Sequence, residues 1–118
     1  MKIMKMYRYE IYQANLPSIP GSHIQSGSRP VVIVSNDMAN AYSPVVTVVP
    51  LTTRLGKKCL PTHVTLLTSG LRTVSLALCE QLTTLDKSRM THYIGYVTDP
   101  DDRAALDRAM SIQLGLVE

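Results

Sequence analysis

At 118 residues and 45% hydrophobic content, the chain can build one core and is too short for two. It contains no run of about 18 apolar residues, which argues against a membrane-spanning helix. The basic start MKIMKM continues into Tyr7-Arg8-Tyr9-Glu10, where a signal peptide would turn apolar. A single domain over residues 1–118 in a cytoplasmic protein is the expectation. The net charge of +3 is unevenly spread: residues 1–98 hold ten Lys or Arg against four Asp or Glu, a surplus of +6, and residues 99–118 hold two against five, a deficit of −3. A basic body with an acidic tail suits an anionic partner for the body, the alternative being an ordinary solvated surface. Cys59 and Cys79 are the only cysteines. Without a secretion signal they read as reduced structural thiols, and two cysteines make no zinc site without histidine help.

In chain order the pattern is mostly β. Tyr9 to Ala14 alternates as a strand and stops at Asn15-Leu16-Pro17. A polar loop follows, with Gly21, Ser22, Gln25, Ser26, Gly27 and Ser28, and Ile24 as its one apolar anchor. Pro30 excludes the α region at Arg29 and opens a buried strand from Val31 to Ser35, which puts Arg29 at the junction of loop and core. Asn36-Asp37 and Asn40 to Pro44 form a connection. Val45 to Val49 is a strand ended by Pro50, apolar enough for burial on both sides or for a closed barrel wall.

Leu51 to Pro61 is a basic connection around Gly56 that carries Thr52, Thr53, Arg54, Lys57 and Lys58. Thr62 to Leu66 is a strand, Ser69-Gly70 a turn, and Leu71 to Leu82 a strand with Arg72 at its start and room for a bulge. Thr84 to Arg89 reads as a helical turn or polar connection, and Thr91 to Val97 returns to strand. Asp99 then caps a helix beginning at Pro100, with Asp101 and Asp102 at its positive end. Leu106, Ala109, Met110, Gln113 and Leu114 recur at helical spacing as a stripe that covers a sheet or an open barrel end, with Met110 in the core.

The residue types exclude several chemistries. No paired carboxylates occur outside the tail, where capping accounts for Asp99 and Asp102, and no phosphate-loop, dinucleotide, zinc or calcium motif is present. His23, His63 and His92 are scattered, and His63, beside Thr62, reads as structural. Arg29 remains as a bidentate phosphate clamp, with the Thr52 hydroxyl as a second donor to the same group. That pair suits phosphodiester transfer without a metal or other cofactor; the bland alternative is a simple binding surface.

Arg8 with Ile11-Tyr12 and Leu16, Gly21-Ser22 through Gln25 and Gly27 to Arg29-Pro30-Val31-Val32-Ile33-Val34-Ser35-Asn36-Asp37, Ser43-Pro44, Pro50-Leu51-Thr52, Leu60-Pro61-Thr62-His63-Val64, and Glu80-Gln81-Leu82 with Leu85-Asp86-Lys87 and Arg89 follow one another in a specific order. In that order and spacing the chain resembles the MazF/PemK family of toxin ribonucleases from toxin–antitoxin systems, over roughly Arg8 to Leu116. The resemblance implies a compact SH3-like barrel with a C-terminal helix, a homodimer, and neutralisation by a cognate antitoxin whose acidic tail covers the RNA groove. It implies cleavage of single-stranded RNA at a short sequence by the ribose 2′-hydroxyl, leaving 2′,3′-cyclic phosphate and 5′-hydroxyl ends. Arg29 and Thr52 become the catalytic pair, with Ser22, Gln25 and Gln81 at or supporting the substrate and Arg54, Lys57, Lys58 and Arg72 as phosphate contacts. The general base stays open. Two departures stand out: Tyr9-Glu10 replaces the family's usual Gly-Asp, and His23-Ile24-Gln25 lengthens the loop by one residue without its usual acid. Two other readings share the fold, a protein-binding toxin of the gyrase-poison type and a non-catalytic RNA-binding domain.

Overall fold

The structure is a computed structural model that describes residues 5–56, 59–67 and 70–117. Among the described residues seven strands and two helices follow in the order β1 (Glu10–Leu16), β2 (Gly27–Ile33), α1 (Asp37–Tyr42), β3 (Val45–Thr52), β4 (His63–Leu66), β5 (Ser75–Leu78), β6 (Thr83–Asp86), β7 (Met90–Tyr96) and α2 (Pro100–Gln113). The strands pair antiparallel along the path β4-β5-β3-β2-β1-β7, and β6 joins the edge of β3 beside β5. Among the described residues β4 and β7 end the path and do not pair with each other. The architecture is thus mainly β with a C-terminal helix, and the sheet is bent but not closed into a barrel.

β3 is the axis of this sheet, and its sequence explains why. Val48 pairs with Ile33 on one edge and Thr83 on the other, and Leu51 and Thr52 then pair with β5. Alternate side chains leave a strand on opposite faces. Val46 and Val48 therefore join one core, with Tyr12, Ala14, Val31, Ile33, Leu85 and Met90, while Val49 and Leu51 join another with Ile11, Val32, Val64, Leu66 and Ala77. Burial on both sides, expected from the unbroken apolar run, holds from Val48 onward, and the strand does not end at Pro50 as the sequence suggested but runs through it to Thr52. Each such aliphatic side chain contributes about 1.5–3 kcal/mol of transfer free energy when fully buried.

The helix α2 closes the second core. Asp99 accepts from the Asp101 N–H at 2.8 Å and Pro100 occupies the first turn, as the sequence predicts. Leu106, Ala109 and Met110 are buried against the sheet. The predicted stripe runs one turn too far, because Leu114 follows the last helical residue and is 58% exposed, with Gln113 exposed as well.

Three local expectations change. Asn36 to Pro44 is not an irregular connection: Asn36 caps α1 by accepting from the Ala39 N–H at 2.8 Å. Inside that helix the fully buried Asn40 is satisfied by donating to the Ser35 carbonyl at 2.8 Å and by contact with the Ser35 hydroxyl. The long strand over 71–82 is only Ser75–Leu78, broken by a single 3-10 turn at Cys79–Gln81 where the sequence allowed a bulge. The polar stretch after it is β6, held to β3 by the pairs Val45–Asp86 to Val48–Thr83, with a second 3-10 turn at Lys87–Arg89.

Two backbone positions tie the edges down. Gly70 has φ +97°, and a Cβ built there would lie 2.1 Å from the Ile94 carbonyl oxygen, so a glycine is required where this loop crosses β7. Tyr9 has φ +74°, the left-handed region, at a position where the family resemblance expects glycine. Its ring is held by Arg8 and Arg103 at 4.9 and 4.6 Å, and its hydroxyl lies 2.9 Å from both Asp107 carboxylate oxygens. Those contacts offset a backbone cost of about 1–3 kcal/mol. Cys79 is buried, as expected, and desolvation with the neighbouring Glu80 charge pushes its thiol up to about 12, whereas Cys59 is exposed.

Candidate active site

Arg29 is the third residue of β2, not a residue of the preceding loop. The strand begins at Gly27, whose φ of +80° turns the loop into it. The pair Val31–Pro50 sets the register between β2 and β3, and two residues further along each strand that register brings Arg29 level with Thr52. Both then lie on the face of Val31 and Val48. Their side chains line one open hollow of about 580 Å³, together with Gln25, Arg54, Gln81, His63 and Glu80.

Inside the hollow the hydrogen-bond capacity of the pair is already divided. Arg29 Nε donates to the Ser26 carbonyl at 2.8 Å. Among the described residues that is the guanidinium's one hydrogen bond, so its two terminal nitrogens are left to meet an anion. Thr52, 7% exposed, accepts from the Arg54 N–H at 3.2 Å through Oγ1. Its own O–H therefore remains to donate to a ligand. A guanidinium and a hydroxyl with unengaged donors can together bind an anionic oxygen.

The loop that roofs the hollow is pinned from two sides. Arg29 holds it at Ser26, and the Gln81 side-chain oxygen accepts from the Gln25 N–H at 2.7 Å. Gln81 can do this because the 3-10 turn at Cys79–Gln81 interrupts the strand and turns the side chain toward the loop. Ile24, expected as the loop's apolar anchor, is 57% exposed, so polar tethers do the holding.

Of the other residues singled out in the sequence, Gln25 and Arg54 line this hollow and Ser22 does not; the exposed Ser22 hydroxyl accepts from the Ile24 N–H at 3.1 Å and shapes the loop. Arg72 lines a different, adjacent hollow. Lys57 and Lys58 lie outside the described residues.

Glu80 is the residue to which sequence reasoning gave no role, and His63, read there as structural, lies beside it. His63 Nδ1 accepts from the Leu60 N–H at 3.3 Å, which places the ring proton on Nε2, 2.7 Å from Glu80 Oε2. The Thr62 hydroxyl donates to the other carboxylate oxygen at 3.1 Å. His63 thus has both ring nitrogens engaged, while each Glu80 oxygen retains acceptor capacity. Glu80 is the only carboxylate lining the hollow among the described residues. The strand pair His63–Leu78 was the missing signal, since it brings Thr62 and His63 beside the turn that carries Glu80. Among the described residues no three His, Cys, Asp or Glu side chains gather as a metal site, and no helix is long and apolar enough to cross a membrane.

Known proteins resemble this chain in sequence and in fold. An endoribonuclease MazF from Staphylococcus saprophyticus subsp. saprophyticus is 42% identical over 113 residues, covering 94% of this chain and 92% of its own length. The structure of an endoribonuclease in complex with its cognate antitoxin from a mycobacterial species superposes with a TM-score of 0.76 at 27% identity, over 96% of this chain and 98% of that one. A MazF structure from Deinococcus radiodurans shares the fold at a TM-score of 0.79 and 22% identity, over 96% and 99%. The family of PemK-like, MazF-like toxins of type II toxin–antitoxin systems matches residues 7–114, and the chain belongs to it.

Proposed function

We propose that this chain is an endoribonuclease toxin that cuts single-stranded RNA at a short sequence without a metal ion, and that Arg29 and Thr52 carry the chemistry. The observation that supports the assignment is that these two residues, from neighbouring strands, turn their free donors into one hollow. A phosphodiester seated there has a non-bridging oxygen between the Arg29 terminal nitrogens and the Thr52 hydroxyl. As the ribose 2′-oxygen attacks phosphorus, charge builds on that oxygen, and both donors stabilise it without moving. The bond to the 5′-oxygen breaks, giving a 2′,3′-cyclic phosphate and a 5′-hydroxyl end. The general base, open in the sequence, is assigned to Glu80: it takes the 2′-hydroxyl proton and returns it to water, from which the leaving oxygen is protonated. His63 and Thr62 hold that carboxylate in place. DNA, lacking the 2′-hydroxyl, is no substrate.

The same reading includes a cytoplasmic homodimer, a bent sheet equivalent to an SH3-like barrel, and neutralisation by a cognate antitoxin whose acidic segment lies over the basic groove around Arg29 and Arg54. Incubation of the purified protein with mixed RNA in EDTA, followed by sequencing of fragment ends, tests the reaction and supplies the recognition sequence. Discrete fragments with cyclic-phosphate ends are expected, and they should vanish in Arg29→Ala and Thr52→Ala proteins whose circular dichroism matches the parent. Undiminished cleavage by both variants would refute the assigned pair.

A further inference from the structure

β4 stands at one end of the sheet path, paired with β5 on one side and with no strand on the other among the described residues. Its hydrogen bonds show which backbone groups that leaves open. The Thr62 carbonyl accepts from the Cys79 N–H at 3.0 Å, so Thr62 faces β5, and by the alternation of an antiparallel ladder Val64 and Leu66 do as well. His63 and Thr65 face outward. The His63 N–H is taken by the Leu60 carbonyl at 3.0 Å. What remains is the His63 carbonyl and both backbone groups of Thr65, two acceptors and a donor in the spacing of a strand.

These groups meet a hollow of about 690 Å³ beside α2. His63, Val64 and Thr65 form one wall, and Asp102, Arg108 and the apolar Ala105, Ala109 and Ile112 of α2 form the other, with no residue of β5 among them. The hollow therefore lies on the unpaired side of β4. Arg108 is exposed and Asp102 half-buried, and neither has a hydrogen bond or ion pair with another described residue. Open main-chain groups on one wall, apolar carbon on the other and one unpartnered charge of each sign suit an extended polypeptide. A nucleic acid strand is disfavoured, because Asp102 repels its phosphates.

We infer that β4 and α2 frame a strand-docking groove, in which an extended segment of a second polypeptide pairs with Thr65 and sets an acidic side chain at Arg108 and a basic one at Asp102. Six helical residues separate the two charges by about 9 Å. Two strand residues span about 6.7 Å, and the reach of Glu and Lys side chains closes the difference. The groove is separate from the hollow around Arg29 and goes beyond the endoribonuclease reading without depending on it. Among the described residues His63 alone lines both, so a seated strand adjoins the ring that holds Glu80.

The test uses the full chain and synthetic heptapeptides of alternating valine and threonine that carry lysine and glutamate, in either order, two residues apart. Binding is read by fluorescence polarisation of a labelled peptide. Saturable binding is expected, weakened about tenfold by Thr65→Pro, which removes the outward N–H and leaves the β4–β5 hydrogen bonds in place. Arg108→Glu, on an exposed position of α2, keeps the test open if the proline variant misfolds. It should weaken binding by a similar factor and regain it for a peptide with lysine in place of the glutamate. N-methylation of alternate peptide amides should abolish binding in one phase and spare it in the other, as a strand paired along one edge requires. No saturable binding, or equal loss from both methylation phases, would overturn the groove as a strand site. A fall from dimer to monomer mass in Arg108→Glu would overturn it too, by giving the edge to a second copy of the chain.

Discussion

Two groups of arginines in this chain meet opposite circumstances. Arg8 and Arg103 are used internally: Arg8 Nη2 pairs with Asp107 at 2.9 Å, while Arg103 stacks over Tyr9 and Tyr96 and donates through Nε to the Val97 carbonyl at 2.6 Å. Arg29 and Arg54 line a hollow whose one carboxylate among the described residues, Glu80, is already held by Thr62 and His63. The first group welds the start of β1 to α2. The second keeps its positive charge available. A basic residue marks a ligand site when the fold withholds its counter-ion, and a count of arginines does not reveal which ones are so placed.

The sharpest way to break this contrast is to exchange the losses. Arg29→Ala should lower kcat roughly 10²–10³-fold, as removal of one oxyanion donor does elsewhere, with a melting temperature close to the parent's. Arg103→Ala should do the reverse, leaving cleavage near the parent's while lowering the melting temperature. Parallel rate assays and calorimetry on both variants decide it, and equal damage to rate in both would erase the distinction. A smaller effect is expected for Gln81→Ala, which removes the acceptor for the Gln25 N–H and leaves the roof loop tethered at Ser26 alone. One lost bond of that kind corresponds to about tenfold in kcat/KM. Limited proteolysis within residues 21–26 should quicken in the same variant.

How much of this was legible beforehand varied with the physics involved. Arg29 and Thr52 could be named as candidates because each lies within two residues of a proline, Pro30 or Pro50, that the sequence reads as a strand boundary, although β2 and β3 in fact run through both prolines; the two-sided burial of β3 followed from its unbroken β-branched run. The C-terminal helix was read to its capping residue. Glu80 and His63 could not be placed, since their meeting depends on the β4–β5 register and on a 3-10 turn that no local periodicity announces. Asp37 to Tyr42 was missed as a helix for a related reason: six residues are too few to show a stripe, and what stabilises them is the buried Asn40 bonded back to Ser35. Tyr9 was visible only as the loss of a glycine, and its compensation came from α2, about a hundred residues away.

That compensation yields the finest predictions, all on the welded side of the comparison. The Tyr9 hydroxyl is pushed up from its ordinary value by burial and by its hydrogen bond to Asp107, against the opposing pull of Arg8. A raised folded-state value means that the contribution is fully present below the unfolded value of about 10 and fades as pH climbs through the folded one. Thermal melts of the parent should therefore lose stability in alkali relative to Tyr9→Phe, which lacks the proton. At neutral pH, Tyr9→Phe keeps the stack and gives up the bond to the partly exposed Asp107, about 1 kcal/mol. Tyr9→Ala and Tyr9→Gly both give up stack and bond, but only glycine is at ease at φ +74°. The glycine variant should therefore be the more stable of the two by about 1 kcal/mol, despite its greater unfolded-state entropy. If alanine proves equal or better in urea titrations, the strain at Tyr9 is not what the arginines and Asp107 offset, and the stack is ordinary packing.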